Sequence, residues 1–264
     1  MATKIGVIGY GAVASYLCKS LPELDAELCC IIARDGRQDF ARSALGDVPV
    51  VTTISDAPED IDVVVDCAGH GGLIAHGAQI LQAGHPLITL SIGALADDAL
   101  YKTLSDAAII GSSRLHLASG AIGALDAIAS ANIGRLDTVT YTGRKPPQGW
   151  AGSPAENVLD LKALTTATTH FRGTARDAAS QYPKNANVAA ALALAGLGFD
   201  ATKVELIADP AASANIHEIT ATGDFGSLRF EIAGNGLPEN PRTSALAAMS
   251  VVKEIARQKT PIVI

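Results

Sequence analysis

An asparagine and a histidine lie two positions apart at residues 213–219, Ser-Ala-Asn-Ile-His-Glu-Ile, a segment whose pattern favours a β-strand. Side chains at i and i+2 of a strand point to the same face. Asn215 and His217 are therefore expected side by side, with Ile216 and Glu218 turned the other way. Histidine is the side chain best suited to proton transfer near neutral pH, and asparagine can orient a water or a carbonyl without titrating. The pair is a candidate catalytic site, although a lone strand histidine is more often structural.

The residues after the first predicted strand have the spacing of a dinucleotide-binding turn. Gly9, Gly11 and Ala14 match G-x-G-x-x-A between the strand Lys4–Ile8 and the helix Ala12–Leu21. Gly9 permits a tight turn, Gly11 lets the backbone approach a pyrophosphate, and Ala14 allows close packing of helix on strand. Phosphates would lie at the helix N-terminus, where N–H groups and the helix dipole favour anions. The pattern predicts binding of NAD or NADP, with a purely structural turn as the alternative.

The choice between NAD and NADP depends on a residue about 20 positions further on. An acid there would bond the ribose 2′-hydroxyl of NAD, and an arginine would accept the 2′-phosphate of NADP. Arg34 and Asp35 are adjacent at this point, so the sequence leaves both cofactors open, and each residue could equally belong to a charged surface turn. His70, in a glycine-rich loop, could touch the nicotinamide or be solvated. The remaining histidines are expected to be ordinary surface or helix residues: His76, His85, His116 and His170.

Strands and helices alternate over the first half of the chain. The predicted strands are Lys4–Ile8, Ala26–Ala33, Val50–Thr53, Ile61–Cys67 and Pro86–Leu90, and the predicted helices are Ala12–Leu21, Gly72–Ala83 and Ala96–Ala107. This alternation predicts an α/β fold with a Rossmann-type, doubly wound parallel sheet.

The pattern changes near Ser119, where a smaller α+β catalytic domain with a mixed or antiparallel sheet is predicted. Its helices are Ile122–Asn132 and Asn187–Leu197, and its strands are Asp137–Gly143, Lys203–Ala208, Asn215–Thr222 and Ser227–Ala233, the last two joined by a hairpin loop. The predicted domains are residues 1–118 and 119–239. The segment 240–264, with a helix over Ser244–Arg257, is expected to complete the first domain.

Length, charge and cysteine content limit the class of protein. A length of 264 residues allows one large domain or two smaller ones. The net charge of −7 argues against affinity for nucleic acid or anionic membranes. The cysteines lack metal-binding spacing, so no metal site is expected, and they suggest buried thiols in a reducing compartment: Cys18, Cys29, Cys30 and Cys67. No signal peptide or membrane-spanning run is found, which predicts a cytoplasmic protein.

Several longer motifs, in order along nearly the whole chain, resemble those of the L-aspartate dehydrogenase family. They are Cys67-Ala68-Gly69-His70-Gly71, Ser91-Ile92-Gly93-Ala94-Leu95-Ala96-Asp97, Ser119-Gly120-Ala121-Ile122-Gly123-Ala124-Leu125-Asp126, Gly143-Arg144-Lys145-Pro146-Pro147, Asn185-Ala186-Asn187-Val188-Ala189-Ala190, Asn215-Ile216-His217-Glu218-Ile219 and Asn240-Pro241-Arg242-Thr243-Ser244. Two residues depart from the family pattern. Ala118 stands where proline is expected, and Ala124 stands where a glycine is expected.

The resemblance implies NAD(P)-dependent oxidative deamination of L-aspartate to iminoaspartate, and then to oxaloacetate and ammonia. It places the catalytic histidine at His217 and further cofactor contacts at Ala121 and Asn187. Asn187 begins an alanine-rich helix and is a preferred type of N-cap, so capping and cofactor contact are both expected of it. Ala121 would contribute its backbone. His217 would act as a general base toward water or the substrate amine, with Asn215 orienting it or that water.

A dicarboxylate substrate needs cationic or N–H donors. Arg144, Lys145 and Arg242 lie in polar, turn-rich stretches and are candidates, each equally consistent with solvated surface charge. Trp150, in a Gly/Pro-rich loop, could close over the site or anchor packing.

Other functions remain open from the sequence. The alternatives are another two-domain oxidoreductase, related to homoserine dehydrogenase or dihydrodipicolinate reductase, and a non-catalytic NAD(P)-binding protein. The enzyme could degrade aspartate, aminate oxaloacetate or supply iminoaspartate for pyridine nucleotide (NAD) biosynthesis. A homodimer through the sheet of the second domain is expected, because apolar strand faces need a cover.

Overall fold

A computed structural model describes residues 2–183 and 185–262, with the side chain of Arg242 outside that description. The chain divides into two compact units, Met1–Gly120 with Ala247–Ile264, and Ala121–Leu246. The first unit contains β1 (Thr3–Ile8), α1 (Ala12–Ser20), β2 (Ala26–Ile32), α2 (Gln38–Leu45), β3 (Val50–Val51), β4 (Val63–Asp66), α3 (His70–Gln82), β5 (Leu87–Thr89), α4 (Asp98–Ile110) and β6 (Leu115–Leu117).

These six strands form one sheet in the order β3-β2-β1-β4-β5-β6, and every neighbouring pair is parallel. This is the strand order of dinucleotide-binding folds, and it confirms the predicted doubly wound parallel sheet. All four residues of β4, Val-Val-Val-Asp, are buried, because helices cover both faces of such a sheet. The sequence did not indicate β6, whose three residues are only half-buried.

The helix predicted over Ala96–Ala107 begins later, at Asp98. The carboxylate of Asp97 accepts hydrogen bonds from the backbone N–H groups of Ala99 at 2.9 Å and Leu100 at 3.2 Å. This side chain satisfies donors that have no partner inside the helix, and it therefore fixes the start of α4.

The final helix, α8 (Ala245–Lys259), contributes to the core of the first unit. Its Val251 and Ile255 are buried in a cluster with Ile5, Val7 and Leu17 of β1 and α1. Burial of each large aliphatic side chain stabilises the fold by about 1.5–3 kcal/mol. No described helix is both long and apolar enough to cross a membrane.

The second unit is built around a five-stranded sheet in the order β11-β10-β7-β9-β8. Its elements are α5 (Leu125–Ala131), β7 (Leu136–Lys145), β8 (Thr168–Thr174), α6 (Ala175–Gln181), α7 (Asn187–Ala195), β9 (Lys203–Ala208), β10 (Asn215–Gly223) and β11 (Gly226–Gly234), followed by the small pair β12 (Gly236–Leu237) and β13 (Asn240–Ser244). β7 and β9 are parallel and the other pairs are antiparallel, so the sheet is mixed.

β8 was not predicted from the sequence, and its irregular register explains why. It pairs antiparallel with β9, but the pairing shifts between Thr169 and Phe171. A bulge inserts an extra residue, here His170, and therefore disrupts the alternation by which a strand is identified.

One face of this sheet is polar. Thr138 and Thr222 share a hydrogen bond of 2.8 Å between their hydroxyl groups, and Arg229 pairs with Glu218 at 2.8 Å. Thr138, Thr222 and Arg229 are exposed. At these residues the face is polar, whereas Leu228, Phe230 and Ile232 on the other face of β11 are half-buried. The homodimer itself stays a prediction.

Ala124, the residue at which the sequence departs from the expected glycine, has a positive φ of 63°. It directly precedes α5, whose start is three residues later than predicted. A residue other than glycine pays about 1–2 kcal/mol to adopt the left-handed conformation. Glycine avoids this cost, but its greater freedom in the unfolded chain offsets part of the gain. We expect Ala124→Gly to raise the free energy of unfolding by about 0.5–1 kcal/mol in urea titrations.

A matched control for this variant is Ala127→Gly, in the exposed interior of α5. Glycine there should lower the free energy of unfolding by about 1 kcal/mol, because the native backbone is helical. Equal destabilisation by both changes would contradict the assignment of strain to position 124.

Candidate active site

His217 and Asn215 lie on the same face of β10, and His217 is buried, with 7% of its surface exposed. Glu218 lies on the opposite face and pairs with Arg229. In the antiparallel pairing of β10 with β7, His217 is opposite Gly143. The predicted alternation along the strand is therefore present, with the histidine turned into the unit.

Gly143 leaves room for a hydrogen bond that the sequence did not indicate. The hydroxyl of Tyr141, two residues earlier on the same face of β7, lies 2.8 Å from Nδ1 of His217. A Cβ atom at position 143 would lie 2.6 Å from that hydroxyl oxygen. Any side chain larger than glycine would therefore displace the tyrosine. Diagonal neighbours across a strand pair are the signal that could have suggested this partner.

His217 is held in its neutral form. Burial, together with the positive charge of Lys145, lowers its pKa to about 4. Burial also raises the pKa of Tyr141 above its usual range, so the phenol keeps its proton. When Nδ1 of His217 donates to the tyrosine oxygen, Nε2 carries a free lone pair. In that tautomer the ring can accept a proton at Nε2.

Lys145, the last residue of β7, lies near Asn215 on the same face. A Cβ built on Gly149 would be 3.1 Å from the Cβ of Lys145 and 3.7 Å from the Oδ1 of Asn215, so both side chains flank this glycine. The ammonium of Lys145 donates to Oδ1 of Asn185 at 2.5 Å. It also lies 4.8 Å from the centroid of the Trp150 ring.

Of the two other candidate cations, Arg144 has a carboxylate partner among the described residues, unlike Lys145. Arg144 forms an ion pair with Asp209 at 2.7 Å, so its charge is already compensated. The side chain of Arg242 lies outside the described residues. Trp150 is 1% exposed and donates through its Nε1 to the carbonyl oxygen of Ile207 at 3.0 Å. Trp150 is therefore a packing anchor, not an open lid.

His170 is not the ordinary surface or helix histidine that was predicted. It lies in the bulge of β8, its ring 4.4 Å from that of Trp150, and its Nδ1 is 3.2 Å from the hydroxyl of Tyr182. Its Nε2 is buried and has no hydrogen-bond partner among the described residues. Burial and the charge of Lys145 lower its pKa to about 4. Only the tertiary fold brings these rings together.

Asn187 lies in the first turn of α7, and Ala121 lies four residues before the start of α5. Asn187 is the first residue of α7, and Ala186 precedes it, so the prediction of Asn187 as the N-cap is wrong by one position. Asn187 is only two residues from Asn185, the partner of Lys145. Ala121 follows a turn at Gly120, which has a φ of +70°.

The dinucleotide-binding turn of the first unit has the geometry that its spacing predicts. Gly9 has a φ of +84°, which glycine adopts at no steric cost. A Cβ on Gly11 would meet no atom of the described residues within 4 Å, and no side chain caps the N-terminus of α1. Ala14 is fully buried. An open backbone before an uncapped helix fits a pyrophosphate group.

Asp66, at the carboxyl end of β4, is a structural residue that the sequence analysis missed. Its carboxylate accepts hydrogen bonds from the hydroxyls of Thr89 at 2.8 Å and Ser91 at 2.6 Å, and from the N–H of Ala68 at 3.0 Å. A Cβ on Gly9 would lie 2.9 Å from the Cβ of Ala68. Asp66 therefore holds the loop that packs against the dinucleotide-binding turn. The sequence signal for this role was an aspartate directly after three valines of a predicted buried strand.

Arg34 and Asp35 lie in an exposed turn beyond β2. Asp35 accepts hydrogen bonds from the N–H of Gly36 at 2.9 Å and the side chain of Gln38 at 3.2 Å. The carboxylate thus stabilises its own turn. The cysteines are less buried than expected, since only Cys30 is fully buried, and the other three, all free thiols, are half-buried.

Comparisons with known proteins distinguish the alternatives. Residues 126–258 match a family model described as "Aspartate dehydrogenase, C-terminal", and residues 9–118 match "Homoserine dehydrogenase, NAD binding domain". An L-aspartate dehydrogenase from Ruegeria pomeroyi is 57% identical over 97% of this chain and 92% of its own length. One from Pseudomonas aeruginosa is 43% identical over 95% and 96%.

Solved structures agree with these relatives. The crystal structure of aspartate dehydrogenase from Thermotoga maritima superposes with a TM-score of 0.80 at 25% identity and covers 100% of both chains. A scyllo-inositol dehydrogenase from Lactobacillus casei with bound NAD(H) has a TM-score of 0.53 at 15% identity, and this likeness shows the fold alone.

Proposed function

The chain belongs to the L-aspartate dehydrogenase family, and we propose that it oxidises L-aspartate with NAD or NADP, using His217 as the general base. The observation that carries this proposal is the buried, neutral His217, which is oriented by Tyr141 and shares a strand face with Asn215. The L-aspartate dehydrogenases among the relatives favour this catalytic role over cofactor binding without turnover.

The first unit supplies the cofactor site. Gly9, Gly11 and Ala14 position the backbone for the pyrophosphate, and Arg34 lies at the carboxyl end of the neighbouring strand, where it could contact the adenosine ribose. The bound nicotinamide supplies the hydride acceptor for the α-carbon of the substrate. The family resemblance further implies cofactor contacts at Ala121 and Asn187.

His217 is the proposed proton acceptor of the reaction. Its free Nε2 accepts a proton from the substrate amine or from the water that adds to the imine of the substrate. The hydroxyl of Tyr141, 2.8 Å from Nδ1, orients the ring, and the tautomer that this step needs is the one in which Nδ1 donates to the phenol oxygen. Asn215 orients His217 or that water from the next position on the same face. Hydrolysis of the imine then gives oxaloacetate and ammonia.

The proposal is tested by following reduced nicotinamide absorbance with purified protein. L-Aspartate should support reduction of NAD⁺ or NADP⁺, with oxaloacetate and ammonia formed in equal amounts, whereas L-glutamate and L-alanine should not. Assays with each cofactor separately decide which one is preferred. Tight binding of a cofactor without turnover of L-aspartate would instead establish the non-catalytic alternative.

A further inference from the structure

Lys145 carries a charge that the described part of the second unit does not compensate. Its ammonium contacts the amide oxygen of Asn185 at 2.5 Å and the face of Trp150 at 4.8 Å, and both groups are neutral. No carboxylate of the described residues lies within 4.0 Å of it. Arg144, next in sequence, differs because Asp209 is within 2.7 Å.

A partly buried ammonium without a negatively charged partner is energetically unfavourable, and a bound anion would remove this cost. Burial lowers the pKa of Lys145 to about 8, so the group is still charged at neutral pH. Asn185 and Trp150 fix the ammonium without neutralising it. A carboxylate is the group whose charge and hydrogen-bonding capacity match what is missing.

The position of Lys145 relative to His217 suits a small substrate. Gly143 is opposite His217, and Lys145 is two residues further along the same face, a rise of about 7 Å along a strand. Asn215 lies beside Lys145, since its Oδ1 and the stem of Lys145 both flank Gly149. The charge of Lys145 reaches His217, because it contributes to the lowered pKa of that histidine.

We propose that Lys145 binds a carboxylate of L-aspartate, with Asn185 and Trp150 holding its ammonium in place. This inference rests on the proposed function for the identity of the substrate. It makes Lys145, and not Arg144, the cation of β7 that contacts substrate.

The test replaces Lys145 by methionine, which keeps an apolar stem against Trp150 and removes the charge. The KM for L-aspartate should rise about 10- to 100-fold, the range expected for a charged hydrogen bond. The KM for the cofactor should not change. The matched control is Lys203→Met, which removes an exposed lysine from β9 of the same sheet and should leave both constants unchanged.

A second measurement does not depend on turnover. Trp150 is the only tryptophan of the chain and lies against the ammonium, so its fluorescence reports on ligands bound there. Succinate, a dicarboxylate without an amine, should change this fluorescence in the wild type and bind at least tenfold more weakly to Lys145→Met, by the same charged-bond estimate of roughly 10- to 100-fold. If Lys145→Met does not fold, Lys145→Gln and Lys145→Arg replace it, and glutamine should raise KM more than arginine.

The outcomes separate the two proposals. A wild-type enzyme that oxidises L-aspartate while Lys145→Met keeps the same KM overturns the role of Lys145 and leaves the function intact. An Arg144→Gln variant with raised KM beside an unaffected Lys145→Met also overturns it. Lys145-dependent binding of succinate without any turnover of L-aspartate supports the carboxylate site and contradicts the proposed function.

Discussion

Replacing His217 by alanine is expected to lower kcat for L-aspartate oxidation by about 10²–10⁴-fold, the usual contribution of a general base. The dissociation constant of the cofactor should change little, because the backbone at Gly9 and Gly11, proposed to hold its pyrophosphate, is left unaltered. Stopped-flow or steady-state assays give kcat, and quenching of reduced-nicotinamide fluorescence gives the dissociation constant. An His217→Ala variant that folds and retains wild-type kcat would remove the histidine from the mechanism.

Tyr141→Phe is expected to lower kcat as well, but by less than His217→Ala does. It keeps the ring and removes the hydroxyl that holds Nδ1 of His217 at 2.8 Å. Loss of one hydrogen bond worth about 1.4 kcal/mol corresponds to roughly a tenfold lower kcat. Tyr141 is a positioning residue in this scheme. The KM for L-aspartate should therefore change little in Tyr141→Phe, whereas a merely structural role would affect stability and leave kcat intact.

Lowering the pH from 7 to 5 is expected to reduce the free energy of unfolding by about 2 kcal/mol through His217 alone. The pKa of His217 is about 4 in the folded protein and about 6.5 in an unfolded chain. The unfolded chain therefore binds a proton that the native protein does not. The stabilising contribution is complete above pH 6.5 and is lost as the pH falls toward 4.

Urea titrations at pH 7, 6 and 5 on the wild type and on His217→Gln measure this effect. Glutamine retains hydrogen-bonding capacity toward Tyr141 but does not titrate, so its stability should decline less with acidification. The difference between the two proteins isolates His217 from His170, whose pKa is also lowered to about 4. Parallel pH dependences for the two proteins would show that His217 is not held neutral.

The features that follow from local chemistry were predictable from the sequence. The turn at Gly9 and Gly11 depends on spacing within one strand–turn–helix segment. The shared face of Asn215 and His217 depends on the two-residue period of one strand. Buried parallel strands such as Val63–Asp66 are recognisable as apolar runs. The family motifs added what local patterns cannot provide, the expectation of L-aspartate as substrate and of Asn187 and Ala121 as cofactor contacts.

The sequence by itself thus determined the fold class and the family. It also determined the strands β7 and β10 and the turn at Gly9 and Gly11, which carry the proposed site residues. The tertiary structure alone decided which side chains meet across the sheet. Tyr141 and His217 are 76 residues apart, and their contact depends on strand register and on the small Gly143 between them. Similarly, Arg144 forms an ion pair with Asp209, whereas Lys145 donates a hydrogen bond to the neutral side chain of Asn185. The reason is physical, since register and charge compensation arise between distant segments, whereas turns and strand faces arise within one.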